Sequence, residues 1–230
     1  MKFLPKGRLD AFADGVFAIV ITLLVLDLVV PQGSGDTLSG LMQEWPAFLA
    51  YLISFAFIGS AWISHSSITS LMKQETTHSY RLNLLMLFFV SLLPFTTKLM
   101  AAHLGHPPAN LITISGLNLL AAAVTVNAIE RAALLTPVMI YGLDLLAVTL
   151  AFIAILKSAT LNIDIHADES VGNELNALLR KERLGAAFIV GTMILAIFLP
   201  LIAVTGFIVV SILFFLTPTF STAKATWRNR

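Results

Sequence analysis

The chain contains no cysteine and carries charge on only 12% of its 230 residues. The first absence excludes disulfides and thiolate metal sites, and it leaves the redox compartment unread. The second is about half the charged fraction of roughly 25% found in an ordinary soluble domain. No HExxH, G-x-S-x-G or Walker sequence occurs, so zinc hydrolases, serine hydrolases and nucleotide-binding enzymes have no motif to rest on. His103 and His106 in HLGHPP read as an interfacial turn rather than a metal pair. A net charge of +1 offers no case for nucleic acid. Neither an enzyme activity nor a cofactor is expected.

What the chain has in abundance is apolar surface. Hydrophobic residues make up 57% of it, which predicts an all-α integral membrane protein, because open strands leave their backbone groups unsatisfied in lipid. Six apolar segments, at about 8–30, 45–69, 81–103, 109–129, 133–157 and 184–217, approach or exceed the ~20 residues that cross hydrocarbon. The expectation is a single domain, residues 1–230, folded as a six-transmembrane-helix bundle. The last segment is too long for one straight crossing and has Pro200 in its middle, so it reads as one kinked helix or two short ones.

Orientation follows from Lys and Arg near the ends of the spans. With the amino terminus inside, Lys2, Lys6, Arg8, Lys73, Arg81, Arg131, Lys224, Arg228 and Arg230 fall on the cytoplasmic side. Lys157, Arg180, Lys181 and Arg183 then fall outside, in a segment that also carries Asp164, Asp168, Glu169, Glu174 and Glu182. Both termini are expected inside. The opening MKFLPKG does not read as a cleavable signal, because the apolar run behind it is long and lacks a small-residue cleavage site.

The first span, RLDAFADGVFAIVITLLVLDLVV, places Arg8, Asp10 and Asp14 at one end and interrupts its apolar run with Thr22 and Asp27. On a helix turning about 100° per residue, Gly15, Thr22, Leu23, Leu26 and Val30 lie within roughly 60° of Ile19, while Asp10 and Asp14 lie nearly opposite. One stripe is therefore small or apolar with a single hydroxyl, and the other face carries two carboxylates. Asp10 reads equally as a helix cap, where the N-terminal dipole favours negative charge. Asp14 lies deeper, where a carboxylate is costly and finds a partner. The second span, running inward, carries AWISHSS near its inner end, and the third begins with YRLN. Arg8, Asp14, His65 and Asn83 thus share one depth, either as a hydrogen-bonded knot between helices or with His65 satisfied on its own.

These residues carry a resemblance. Arg8, Phe12, Ala13 and Asp14 are similar to the R-x-x-x-F-S-D signature that opens the first helix in the transmembrane protein 175 family of potassium channels. Trp62 and His65 match its W-x-x-H, Leu82 and Asn83 its Leu-Asn pair, and Leu93, Pro94 and Phe95 follow within the third helix. The likeness covers roughly residues 7–100 and departs at Ala13, where the family usually has Ser.

What the resemblance implies goes further than spacing. The first helix would line a central cation pathway, with Ile19, Leu23 and Leu26 as its constriction and Thr22 as the hydroxyl layer associated with potassium preference. Arg8, Phe12, Asp14, Trp62, His65 and Asn83 would knit the inner ends of the helices together, off the pore axis. With one copy of the signature in the chain, a homotetramer of cyclic symmetry is implied, set among membrane lipids and passing monovalent cations, with K+ as permeant ion. The single-repeat form implies a bacterial inner membrane. There is no TVGYG loop, so a backbone-carbonyl filter is not available and the aliphatic ring would gate by dewetting. Asp27, about 80° from Ile19, would either concentrate cations at the outer mouth or simply reach the interface. The alternative from a different class is a proton-coupled secondary transporter using Asp14 and His65 as a relay. It would call for an inverted repeat, and none is evident.

Overall fold

A computed structural model describes residues 3–4, 6–26, 28, 42, 44–71, 75–105, 128–162 and 169–216. They form six helices: α1 (Lys6–Leu26), α2 (Trp45–Leu71), α3 (Thr77–Gly105), α4 (Ala128–Asn162), α5 (Glu169–Phe198) and α6 (Pro200–Leu216). Two short strands, β1 (Phe3–Leu4) and β2 (Glu75–Thr76), pair antiparallel, Phe3 with Thr76 and Leu4 with Glu75. This ladder ties the start of α1 to the α2–α3 connection, and that end of the bundle is called proximal below. Local chemistry accounts for the helix starts. Thr76 caps α3 by accepting the Ser79 amide at 3.2 Å. Pro46 and Pro200 sit in first turns, where a missing N–H costs nothing.

Helix directions follow from which residues meet. His65 of α2 contacts Asn83 of α3, and Ser54 contacts Thr97, so α2 and α3 are antiparallel. Ser54 also meets Tyr141 of α4, while Ala61 and Ser64 lie beside Thr149 and Phe152, so α4 runs with α2 and against α3. A Cβ on Gly185 would overlap the Phe214 ring, and one on Gly206 would crowd Thr192, so α5 and α6 fold back on each other about Leu199–Pro200. The six described helices alternate up and down, and α6 ends at the proximal end where α1 begins.

This arrangement decides one expectation and changes another. Of the two readings of 184–217, the two-helix one holds: the run forms the two arms of a hairpin rather than one kinked helix. Proline at 200 has no amide to continue α5, and α6 restarts with its own bond from the Ala203 amide to Leu199 at 3.0 Å. Residues 109–127 of the expected crossing at 109–129 lie outside the described residues, 128 and 129 open α4, and α3 and α4 run antiparallel. The segment at 133–157 therefore runs opposite to the direction expected. Lys157, Arg180, Lys181 and Arg183 join Arg8 and Arg81 at the proximal end, and Arg131 moves to the other.

Among the described residues four helices are long and apolar enough to span a bilayer, over Gly7–Leu26, Trp45–Leu71, Thr77–Ala102 and Leu135–Leu161. The apolar arm of α5 and all of α6 are shorter companions. The core gathers on α4, whose Tyr141, Leu145, Val148, Phe152 and Ile155 are buried against α2, α3, α5 and α6. α1 stands at the edge. Among the described residues it packs mainly on α2 and α3, through Leu9, Ala13, Phe17, Val20 and Leu24, recurring every three or four residues. Just 28% of its span is buried, against 56% for α4.

Candidate pore-lining face and helix network

Because α1 buries one stripe, the opposite stripe is left facing away from its own bundle. Ile19 is 60% exposed, Leu23 42% and Leu26 74%. No other side chain comes within reach of a Cβ placed on Gly15. Thr22 lies on the same face and donates its hydroxyl to the Ile19 carbonyl at 2.8 Å. The hydrogen is thus tied to the helix's own backbone, and the oxygen presents its lone pairs outward. A ring of such oxygens between two layers of aliphatic side chains would offer partial cation ligation in an otherwise dry passage. Asp27 and Val30 lie outside the described residues.

The signature residues divide into two bonded pairs and two exposed side chains. The Trp62 indole Nε1 donates to Asp14 Oδ1 at 2.8 Å, joining α1 to α2. One helical turn toward the proximal end, His65 Nε2 and Asn83 Oδ1 are 3.0 Å apart in a buried contact that joins α2 to α3. Asn83 also donates through Nδ2 to the Ser79 carbonyl at 2.9 Å. Phe17 of α1 packs its ring 5.9 Å from the His65 ring. Ala13 is wholly buried, where its small side chain lets α1 approach its neighbours closely. Arg8 and Phe12 lie on the exposed surface of α1, outside this set of contacts.

A second polar cluster was not singled out from the sequence. Thr96 donates to Asp144 Oδ2 at 2.9 Å in the α3–α4 contact, and Asp144 is only 6% exposed. Its other oxygen, Oδ1, is buried with no hydrogen-bond partner among the described residues. Nearby, Ser54 links Thr97 at 2.7 Å and Tyr141 at 2.9 Å. The signal was present as a lone carboxylate inside the apolar run YGLDLLAV. Nothing in that run says which neighbour it meets.

The fold defines a multi-pass α-helical membrane protein whose first helix leaves one face uncovered by the other described residues. Residues 8–94 match the family described as the endosomal/lysosomal potassium channel TMEM175. A potassium channel of Chamaesiphon minutus is 45% identical over 107 residues, covering 45% of this chain and 53% of that protein. One from Streptomyces collinus is 40% identical over 107 residues, 46% of this chain and 52% of that protein. The chain thus matches about half the length of these two relatives. The crystal structure of a lysosomal potassium-selective channel TMEM175 homolog from Chamaesiphon minutus superposes with a TM-score of 0.71 at 30% identity, over 91% of this chain and 95% of that one. The chain belongs to the TMEM175 family, a family of ion channels and not of enzymes.

Proposed function

We propose that this chain is one subunit of a potassium-permeable cation channel, in which four copies place α1 around a shared axis and monovalent cations pass between them down their gradient. The observation that carries this reading is the unburied stripe of Ile19, Leu23 and Leu26 with the outward Thr22 oxygen among them. A helix in lipid gains nothing from an aligned hydroxyl and a bare Gly15, whereas four such helices around an axis form a narrow apolar constriction. That constriction blocks hydrated ions until it widens, and the Thr22 ring replaces part of a cation's water. One helix encloses no pore, so assembly with cyclic symmetry is part of the proposal. The names of the relatives, both bacterial potassium channels, point the same way.

The basic residues gathered at the proximal end, Arg8, Arg81, Lys157, Arg180, Lys181 and Arg183, favour a cytoplasmic proximal side in a bacterial inner membrane, with both termini inside. Asp14 and His65 are occupied by different partners, Trp62 and Asn83, which favours a packing role for them over a proton relay. The test is flux from purified protein in liposomes with potassium inside and sodium outside, comparing wild type with Ile19→Asn and Leu23→Ala. Passive potassium flux that both substitutions raise several-fold supports the pore. Flux that needs a proton gradient and vanishes in Asp14→Asn hands the reading to a transporter.

A further inference from the structure

At the proximal end of the α5–α6 hairpin, a basic cleft and an apolar groove adjoin. The cleft, about 590 Å³, is lined by Asn173, Asn176, Arg180, Arg183 and Leu184. These recur at intervals of three, four, three and one along α5, so they form one stripe of the helix. The groove, about 240 Å³, runs between α5 and α6 and is lined by Leu184, Phe188, Leu213 and Phe214, with Lys181 at its mouth. Leu184 belongs to both. Lys181 holds its ammonium 5.3 Å from the Phe214 ring centroid, stationed where the polar cleft gives way to the apolar groove. Glu182, the acidic residue in the same turn, is turned inward and is only 2% exposed, so the outer face of this turn is left basic.

We infer that this juxtaposition is a binding site for an anionic phospholipid, with the phosphate on Arg180 and Arg183, Lys181 at the glycerol level, and one acyl chain in the groove between α5 and α6. Three features favour a lipid over a soluble anion or a protein. The charge is positive and lies at the proximal boundary of the apolar arms, where anionic headgroups lie. The apolar groove continues directly into the depth of the bilayer. The hairpin packs on α2 and α4 and makes no substantial contact with α1, so if α1 lines the axis, as proposed above, this face points outward to lipid. The asparagines supply neutral donors for a hydroxylated headgroup. Arg suits the phosphate because its fork of donors matches two oxygens at once.

The experiment is native mass spectrometry of the purified assembly with added phosphatidylglycerol or phosphatidylcholine. Wild type is expected to retain phosphatidylglycerol at least tenfold more strongly, and Arg180→Gln/Arg183→Gln to lose most of that preference. Leu213→Trp, which fills the groove, is expected to weaken retention of phosphatidylglycerol while leaving Arg180 and Arg183 in place. Equal retention of both lipids by wild type, an unchanged preference in the double variant, or full competition by glycerol 3-phosphate, which has no acyl chain, overturns the proposal. The absence of native cysteine allows a clean geometric control. Disulfide-linked pairs from Asn176→Cys would show this face to be covered by a second copy, and would also overturn it. Pairs from Ile19→Cys report on the α1 axis alone, so failure of the pore reading is seen separately from failure of the lipid site.

Discussion

The Trp62 indole donates to the Asp14 carboxylate at 2.8 Å across the exposed edge of the α1–α2 contact, one turn from the buried contact between His65 and Asn83. The two bonds are of the same kind in sequence but not in cost. His65 is 2% exposed and Asn83 is wholly buried, so Asn83→Leu removes a buried hydrogen-bond partner of the imidazole and is expected to destabilise by about 1–3 kcal/mol. Trp62→Phe leaves a carboxylate that water still reaches and is expected to cost under about 1 kcal/mol. Thermal unfolding in detergent, followed by circular dichroism, ranks the two. The reverse order would mean that Asp14 is the more enclosed group in the assembled protein.

Thr22 offers a test of ion preference separate from conduction. Thr22→Val keeps the shape and removes the oxygen, so potassium-to-sodium selectivity is expected to fall several-fold with conduction retained. Thr22→Ser keeps the oxygen and is expected to preserve the selectivity. Reversal potentials under bi-ionic conditions measure it. Equal selectivity in wild type and Thr22→Val would remove the hydroxyl layer from the mechanism.

The Thr96–Asp144 contact predicts an asymmetry between two substitutions. Thr96→Val removes the one described donor to a buried carboxyl and is expected to destabilise by about 1–3 kcal/mol. Asp144→Asn retains an acceptor for Thr96 and carries no charge into the bundle, so it is expected to leave stability unchanged or raise it. Melting temperatures of the two variants in the same detergent decide this. A large loss in Asp144→Asn would assign the carboxyl a role that packing does not explain.

Glu182, below the apolar arm of α5, gives a pH dependence with a definite sign. Burial raises its pKa from 4.5 to about 7, partly offset by the adjacent Lys181 charge. A carboxyl whose pKa is higher folded than unfolded holds its proton more tightly in the native state. Its stabilisation is therefore complete below pH 4.5 and is lost as pH rises through about 7. The span corresponds to a loss on the order of 3 kcal/mol at most. Melting temperature should fall between pH 5 and pH 8 in wild type, and the slope should flatten in Glu182→Gln. An identical slope in both would show that Glu182 is hydrated in the native protein.

Much of this protein was legible before any contact was known. Composition alone required a membrane protein, because 57% hydrophobic residues with 12% charge cannot be solvated in water. Helical periodicity in α1 separated the stripe of Ile19, Thr22, Leu23 and Leu26 from the carboxylate face, because a helix fixes angles between residues without reference to any partner. Hydropathy measures length and not direction, so it could not say that 184–217 turns back at Leu199–Pro200 or that α4 runs against α3. The placement of Lys157, Arg180, Lys181 and Arg183 depended on that count. Only the tertiary structure could decide it, because an apolar run satisfies lipid whichever way it points, and its direction is set by the helices packed against it. The same reason explains Asp144. Its cost in hydrocarbon was readable from its neighbours in sequence, but Thr96, which meets that cost in part, lies 48 residues away.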